Sequence, residues 1–107
     1  MAPVDLLGPD GAGPLWGTES EDLNATLLVW PAAHVVAEHV NAALDVLLVA
    51  LEGDAVVTVD AEERRLAAGH ALLVPKGAAR AIRAGAGGVR YLSVHRRRGP
   101  LQIAERP

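Results

Sequence analysis

The chain of 107 residues contains no cysteine and no phenylalanine. The lack of cysteine excludes disulfides, thiolate metal sites, iron–sulfur clusters and a cysteine nucleophile. Aromatic residues make up only 3% of the sequence, namely Trp16, Trp30 and Tyr91, so a core has to be built from Leu, Val, Ile and Ala. Because 50% of the residues are hydrophobic and the chain is short, we expect one domain around a single packed core.

The chain also has fewer basic than acidic residues, 10 Lys and Arg against 13 Asp and Glu, which gives a formal net charge of −3 at pH 7. This balance argues against nucleic acid and anionic membranes as partners. The basic run from His95 to Arg98 has no stacking aromatic residues beside it, and a solvated strand end explains it. The sequence has no apolar run of membrane-spanning length and no signal-peptide pattern, so we expect a soluble, cytoplasmic protein.

Glycine and proline divide the chain into short segments. They are dense in residues 1–17, which indicates an extended lead-in without a folded element. From residue 53 onward, turn signals recur about every 8–12 residues, a rhythm typical of all-β proteins. We therefore expect an extended N-terminal segment at 1–19, an all-β domain at 20–100 and a C-terminal tail at 101–107.

The strands expected inside this domain are bounded by these turn signals. Residues 44–51 and 55–59 are predicted to pair as a hairpin through 52–54, and 60–62 to form a second turn. Residues 32–51 are ambiguous, because their apolar residues also fall at helical spacing and periodicity leaves helix and strand open. The other expected strands are 22–30, 64–66, 71–74, 79–83 and 89–96.

One stretch with regular Gly and Pro spacing carries a family resemblance. Gly69, five residues, Pro75, one residue, Gly77, two residues and Arg80 match the spacing of the second cupin motif. The motif normally ends in His, where this chain has Arg80. Each glycine serves a turn and the proline ends a strand, so the pattern has a physical basis.

A second, more degenerate stretch resembles the first cupin motif. His39 matches its first His, and Asn41 replaces its second. Counted forward from Asn41, the Glu position is Asp45, whereas counted back from Gly53 it is Val46. A slip of one residue exchanges the two faces of a strand, so Asp45 reaches the pocket only if a bulge absorbs it.

The resemblance identifies the chain as a small single-domain member of the cupin superfamily. It implies an all-β fold, an antiparallel double-stranded β-helix or jelly-roll barrel with a pocket at one end, and it resolves 32–51 as strand. Small cupins commonly pair, and the apolar lead-in residues Leu6, Leu7, Leu15 and Trp16 need a partner surface, so we expect a homodimer.

In metal-binding cupins these motifs supply three His and one Glu to a divalent ion. Only His39 survives here, and Arg80 is a permanent cation that cannot coordinate, so we expect no metal cofactor. A divalent transition metal, if one is bound, would be held at His39. Arg80 has two candidate partners, an internal Asp45 or the carboxylate of a ligand.

Three functions follow from these residues. The favoured one is a small cupin that binds a small polar or anionic organic ligand without metal, through His39, Asn41, Asp45, Arg80 and His95. The second is a cupin enzyme, an isomerase, lyase or metal-dependent oxygenase, which uses either a metal or His39 and Asp45 as an acid–base pair. The third is a structural module that serves dimerisation alone.

Overall fold

The computed structural model describes residues 2–97, which form seven strands in one antiparallel sheet. The tail expected at 101–107, and the last residues of the expected barrel at 98–100, lie outside the described residues. No helix able to cross a membrane occurs within 2–97. The strands are β1 Gly13–Glu19, β2 Leu23–Trp30, β3 Val35–Val40, β4 Val46–Val59, β5 Glu62–Ala67, β6 Ala71–Val74 and β7 Ala79–Arg96.

The sheet folds over itself because β4 and β7 are long and change partners along their length. Residues 46–50 of β4 pair with β6 and with the second half of β7, which also pairs with β2. Residues 54–59 of β4 pair with β5 and with the first half of β7, which also pairs with β3. We call the first set, with β1, the larger layer and the second set the smaller layer. The all-β jelly-roll prediction is confirmed.

The predicted hairpin of 44–51 with 55–59 is wrong, because both segments belong to the single strand β4. Two register shifts, at 50–52 and 53–55, bend β4 where a reversal was expected. Gly53 has φ 69°, and a Cβ there would collide with the backbone of Gly88, which itself has φ 80°. The expected strands 79–83 and 89–96 are likewise one strand, β7. Glycine therefore marks a bend in each strand rather than its end.

The turn expected at 60–62 is present as a tight hairpin between β4 and β5. Val59 pairs with Glu62, so the loop consists of Asp60 and Ala61, with φ 48° and 68°. Positive φ at both central residues is typical of a type I′ turn, whose twist matches that of the flanking strands. Residues 32–51 contain β3 and the start of β4, so the strand prediction for this segment is also confirmed.

The core between the layers is aliphatic, as the composition predicts. Val46, Leu48 and Ala50 point inward from β4 and are almost fully buried. Beyond the bend, the inward positions become Ala55 and Val57, because the register shifts change the alternation. The bend thus keeps one face of β4 in the core of both layers.

The N-terminal segment is more structured than expected. The prediction of no folded element in 1–17 is wrong for residues 13–17, which belong to β1 and pair with β2. Residues before β1 lie against the outer side of the larger layer, where the guanidinium of Arg90 donates from Nη1 to the carbonyl of Leu6 and from Nη2 to that of Pro9, each at 2.9 Å. The apolar lead-in therefore finds part of its partner surface in its own chain.

Candidate functional site

A cavity of about 210 Å³ lies between the two layers, and we call it the barrel cavity. Its volume equals that of about seven water molecules, since water occupies roughly 30 Å³ each in the liquid. Its apolar lining consists of Leu28, Val36, Ala37, Leu48, Ala81 and Ile82. Its polar lining consists of Trp30, His39, Arg80, Tyr91 and Ser93.

The cavity has a buried floor and an exposed mouth. Leu48 and Tyr91, which are 1% and 3% exposed, form the floor together with Ile82. Ala37 and His39 on β3 are exposed, so the mouth lies at β3. A ligand entering here passes β3 before it reaches the apolar floor.

His39 and Arg80 meet at this mouth as directly opposed residues of β3 and β7. A bulge in β3 between Val36 and His39 shifts the alternation of side chains, so that Val36 and His39 both line the cavity although they are three residues apart. Opposed residues of antiparallel strands have Cβ atoms roughly 5 Å apart, which lets an imidazole and a guanidinium address one ligand atom group. The structure therefore brings together two of the five residues selected from the sequence.

Arg80 is half-buried and carries its charge at the edge of the cavity. Burial lowers the pKa of its guanidinium below the ordinary value, while Tyr91 acts in the opposite direction. Within residues 2–97, no carboxylate lies at ion-pair distance from Arg80. The internal Asp45 partner considered from the sequence is therefore not formed.

Tyr91 and Trp30, which line the cavity, form a chain of contacts with His34. Trp30 Nε1 donates to Tyr91 Oη at 3.0 Å, and the Trp30 and His34 rings stack with centroids 4.2 Å apart. Burial raises the pKa of Tyr91, whereas the Trp30 hydrogen bond and the charge of Arg80 oppose that rise. Tyr91 and Ser93 were not selected from the sequence, although their alternation on one strand face was the available signal.

Asn41 serves a turn instead of the cavity. Its Oδ1 accepts hydrogen bonds from the backbone of Ala43 at 3.1 Å and Leu44 at 3.0 Å, and its carbonyl accepts one from Gly77. Such a side-chain-to-backbone bond two or three residues ahead is the usual Asx turn. Asn41 is not among the residues that line the barrel cavity.

Asp45 and His95 also lie away from the cavity. Asp45 Oδ1 accepts from the Lys76 backbone at 2.8 Å, and Asp45 lines a separate hollow of about 190 Å³ with Lys76 and Arg96. His95 Nδ1 lies 2.8 Å from the carbonyl of Arg96. Since His39 lines the cavity and Asp45 the other hollow, the acid–base pair considered for an enzyme is not assembled.

The residues at the motif positions do not fit a metal centre. Among the described residues, no group of three or more His, Cys, Asp or Glu could hold a metal ion. His39 is the only imidazole lining the cavity, and the guanidinium opposite it is a cation. A donor set of this kind lacks the anionic and imidazole ligands that divalent transition metals require.

Comparison with known proteins identifies the fold and the family. No protein-family model and no curated protein matches the sequence. The solved structure of TT1209 from Thermus thermophilus is 31% identical, with 83% of this chain and 84% of that chain covered and a TM-score of 0.71. A cupin superfamily protein from Desulfitobacterium hafniense is 28% identical, with 76% and 71% covered and a TM-score of 0.64. The chain belongs to the cupin superfamily.

A more distant cupin shares the fold. The cupin domain of Schizosaccharomyces pombe Cnp3 is 23% identical, with 80% of this chain and 63% of that chain covered and a TM-score of 0.70. In the chain described in this structure, Gly69 and Gly77 both have φ 85° in the turns that flank β6. Arg80 then enters β7 with its side chain at the cavity, in the place of the final His of the cupin motif.

Proposed function

We propose that this cupin binds a small organic anion in the barrel cavity and needs no metal to do so. The observation that carries the proposal is Arg80, a half-buried guanidinium at the cavity with no carboxylate partner in residues 2–97. A partly desolvated charge without a counter-charge is costly, and a bound anion removes that cost.

The neighbouring side chains favour the same ligand class. His39 stands opposite Arg80, and Ser93 offers a hydroxyl elsewhere in the cavity lining. No carboxylate is among the side chains that line the described cavity, so nothing there repels an anion. A planar guanidinium with a second donor beside it suits a carboxylate, which can accept two parallel hydrogen bonds.

The test is a thermal-shift screen of small carboxylates and sugar acids, with elemental analysis of the untagged protein in parallel. Arg83 offers a matched control, because it lies on the same strand but is exposed and does not line the cavity. We expect an anion to stabilise the wild type and Arg83→Gln but not Arg80→Gln. The proposal fails if no anion stabilises the wild type, or if all three proteins respond alike.

The metal-free part of the proposal is tested by the elemental analysis. We expect no stoichiometric iron, manganese, nickel or zinc, because a cation occupies the position of the final metal-ligating His. About one transition metal ion per chain would contradict it. The cytoplasmic location and the absence of nucleic-acid and membrane partners stay predictions from charge and sequence pattern.

A further inference from the structure

The barrel cavity divides into a charged mouth and an apolar floor. Arg80 and His39 stand together at the mouth, beside β3. Below them the wall is aliphatic, with Leu48 and Ile82 almost fully buried. A ligand that fills this space has to satisfy a charge at one end and to be apolar over most of its length.

Hydrogen-bonding partners are few away from the mouth. Tyr91 Oη already accepts a hydrogen bond from Trp30 and keeps a single O–H to donate, and the remaining hydroxyl in the lining is that of Ser93. A polyhydroxylated ligand would bury several hydroxyls, each of which costs free energy when it lacks a partner. An aliphatic or aryl body loses nothing in the same position and gains from leaving water.

From these two observations we infer that the ligand is an apolar monocarboxylate, bound with its carboxylate at Arg80 and His39 and its alkyl or aryl body directed to the floor. The volume of about 210 Å³ sets the size of this ligand. It corresponds to roughly seven to ten non-hydrogen atoms, on the basis of about 30 Å³ per water molecule. The inference rests on the proposed function and narrows it from organic anions in general to one class.

The inference is tested by calorimetric titration of the full chain with three matched probes. Benzoate is the apolar acid, threonate is a polyhydroxylated acid with the same number of non-hydrogen atoms, and benzamide is the neutral analogue of benzoate. We expect benzoate to bind at least about tenfold more tightly than either comparison compound, because each of them lacks one of the two matched features.

Two variants locate the apolar body. Leu28 and Val36 are half-buried and line the cavity from opposite layers, whereas Leu73 is exposed on the outer side. We expect Leu28→Ala or Val36→Ala to weaken benzoate by about tenfold and to leave threonate unchanged, with Leu73→Ala as the control. The two substitutions test the same contact from opposite layers, so misfolding of one variant does not decide the result.

Each outcome of the titrations decides between the two proposals. If threonate binds as tightly as benzoate, the apolar class is wrong and the proposed anion site survives. If benzamide binds as tightly as benzoate, or if neither acid binds, the anion site itself is wrong. If benzoate binds most tightly but Leu28→Ala and Val36→Ala both leave its affinity unchanged, the placement of its body against the apolar lining of the cavity is overturned.

Discussion

Strand β7 carries two arginines whose surroundings differ in one decisive respect. Arg90 is 8% exposed, and its guanidinium is held by three acceptors, Glu52 Oε1 and the carbonyls of Leu6 and Pro9, all at 2.9 Å. Arg80 is half-buried at the barrel cavity and, within the described chain, has no carboxylate at ion-pair distance. The fold supplies the partners of Arg90, whereas residues 2–97 supply no counter-charge to Arg80.

This difference separates a structural cation from a binding one. Arg90 ties the N-terminal segment to the outer side of the larger layer, where the chain itself provides every acceptor named above. Arg80 points into a space that the chain leaves open. Burial alone would select Arg90, but Arg80 is the candidate for ligand binding, because no carboxylate in the described part of the chain pairs with it.

The largest expected effect comes from removing each cation in turn. We expect Arg90→Ala to lower the free energy of unfolding by about 2–4 kcal/mol, because it leaves two backbone carbonyls without donors and breaks a charge-assisted contact. We expect Arg80→Ala to cost less than about 1 kcal/mol, since it breaks no ion pair among residues 2–97. Urea denaturation of both variants measures the difference. Equal losses of unfolding free energy in the two variants would mean that Arg80 has a structural partner, and the distinction between the two arginines would be wrong.

A second prediction concerns the outer side of the larger layer, beside the surface that Arg90 holds. An uncharged row, Leu73, Leu47, Val94 and Ala25, runs across four paired strands there. Leu73 is 56% exposed and Leu47 is 38% exposed, and contiguous apolar surface of this kind favours association. Because small cupins commonly pair, we expect a second copy of the chain to cover this row.

The dimer is tested by light scattering at micromolar concentration. We expect twice the chain mass of 11.1 kDa for the wild type, and the monomer mass for Leu47→Lys. Val35→Lys is the control, because Val35 is 60% exposed but lies on the smaller layer. A wild type of monomer mass would refute the prediction, and dissociation by Val35→Lys would move the interface to the smaller layer.

The contrast between the two arginines also shows what the sequence could predict. The Gly and Pro spacing of the second motif predicts an inward-facing Arg80, because two turns and one short strand leave little freedom in register, and Arg80 is among the residues that line the cavity. Arg90 could not be found in this way. Its acceptors include backbone carbonyls of Leu6 and Pro9, which are remote in sequence and carry no side-chain signature.

The remaining errors have local physical causes. Glycine with positive φ serves both a reversal and a bend, so Gly53 predicted a hairpin where β4 only changes layers. For Asp45, the two alignments of the first motif differ by one residue and therefore predict opposite faces of the strand. Its carboxylate accepts a hydrogen bond from the Lys76 backbone outside the cavity. Asn41 matches a motif position, but short polar side chains after a strand readily form a turn.

The smallest expected effect is the influence of the Arg80 charge on the ionisation of Tyr91 at alkaline pH. Tyr91 is the only tyrosine in the chain, so tyrosinate absorbance reports this residue alone. Burial raises its pKa above the ordinary value of 10.0, with the Trp30 hydrogen bond and the Arg80 charge opposing the rise. The native protein should therefore ionise Tyr91 at higher pH than the urea-unfolded chain does.

The sign of the stability change follows from this shift. Below pH 10 both states keep the phenolic proton, so Tyr91 contributes no pH dependence. As pH rises through 10, the unfolded state loses its proton first, and native stability falls by at most about 1.4 kcal/mol per pH unit until the folded group also ionises. Tyr91→Phe should remove this alkaline loss.

Arg80→Gln should raise the native pKa of Tyr91 further, because it removes a positive charge that favours the phenolate, whereas Arg83→Gln should leave that pKa nearly unchanged. Equal titrations for these two variants would show that the charge of Arg80 does not reach the cavity floor.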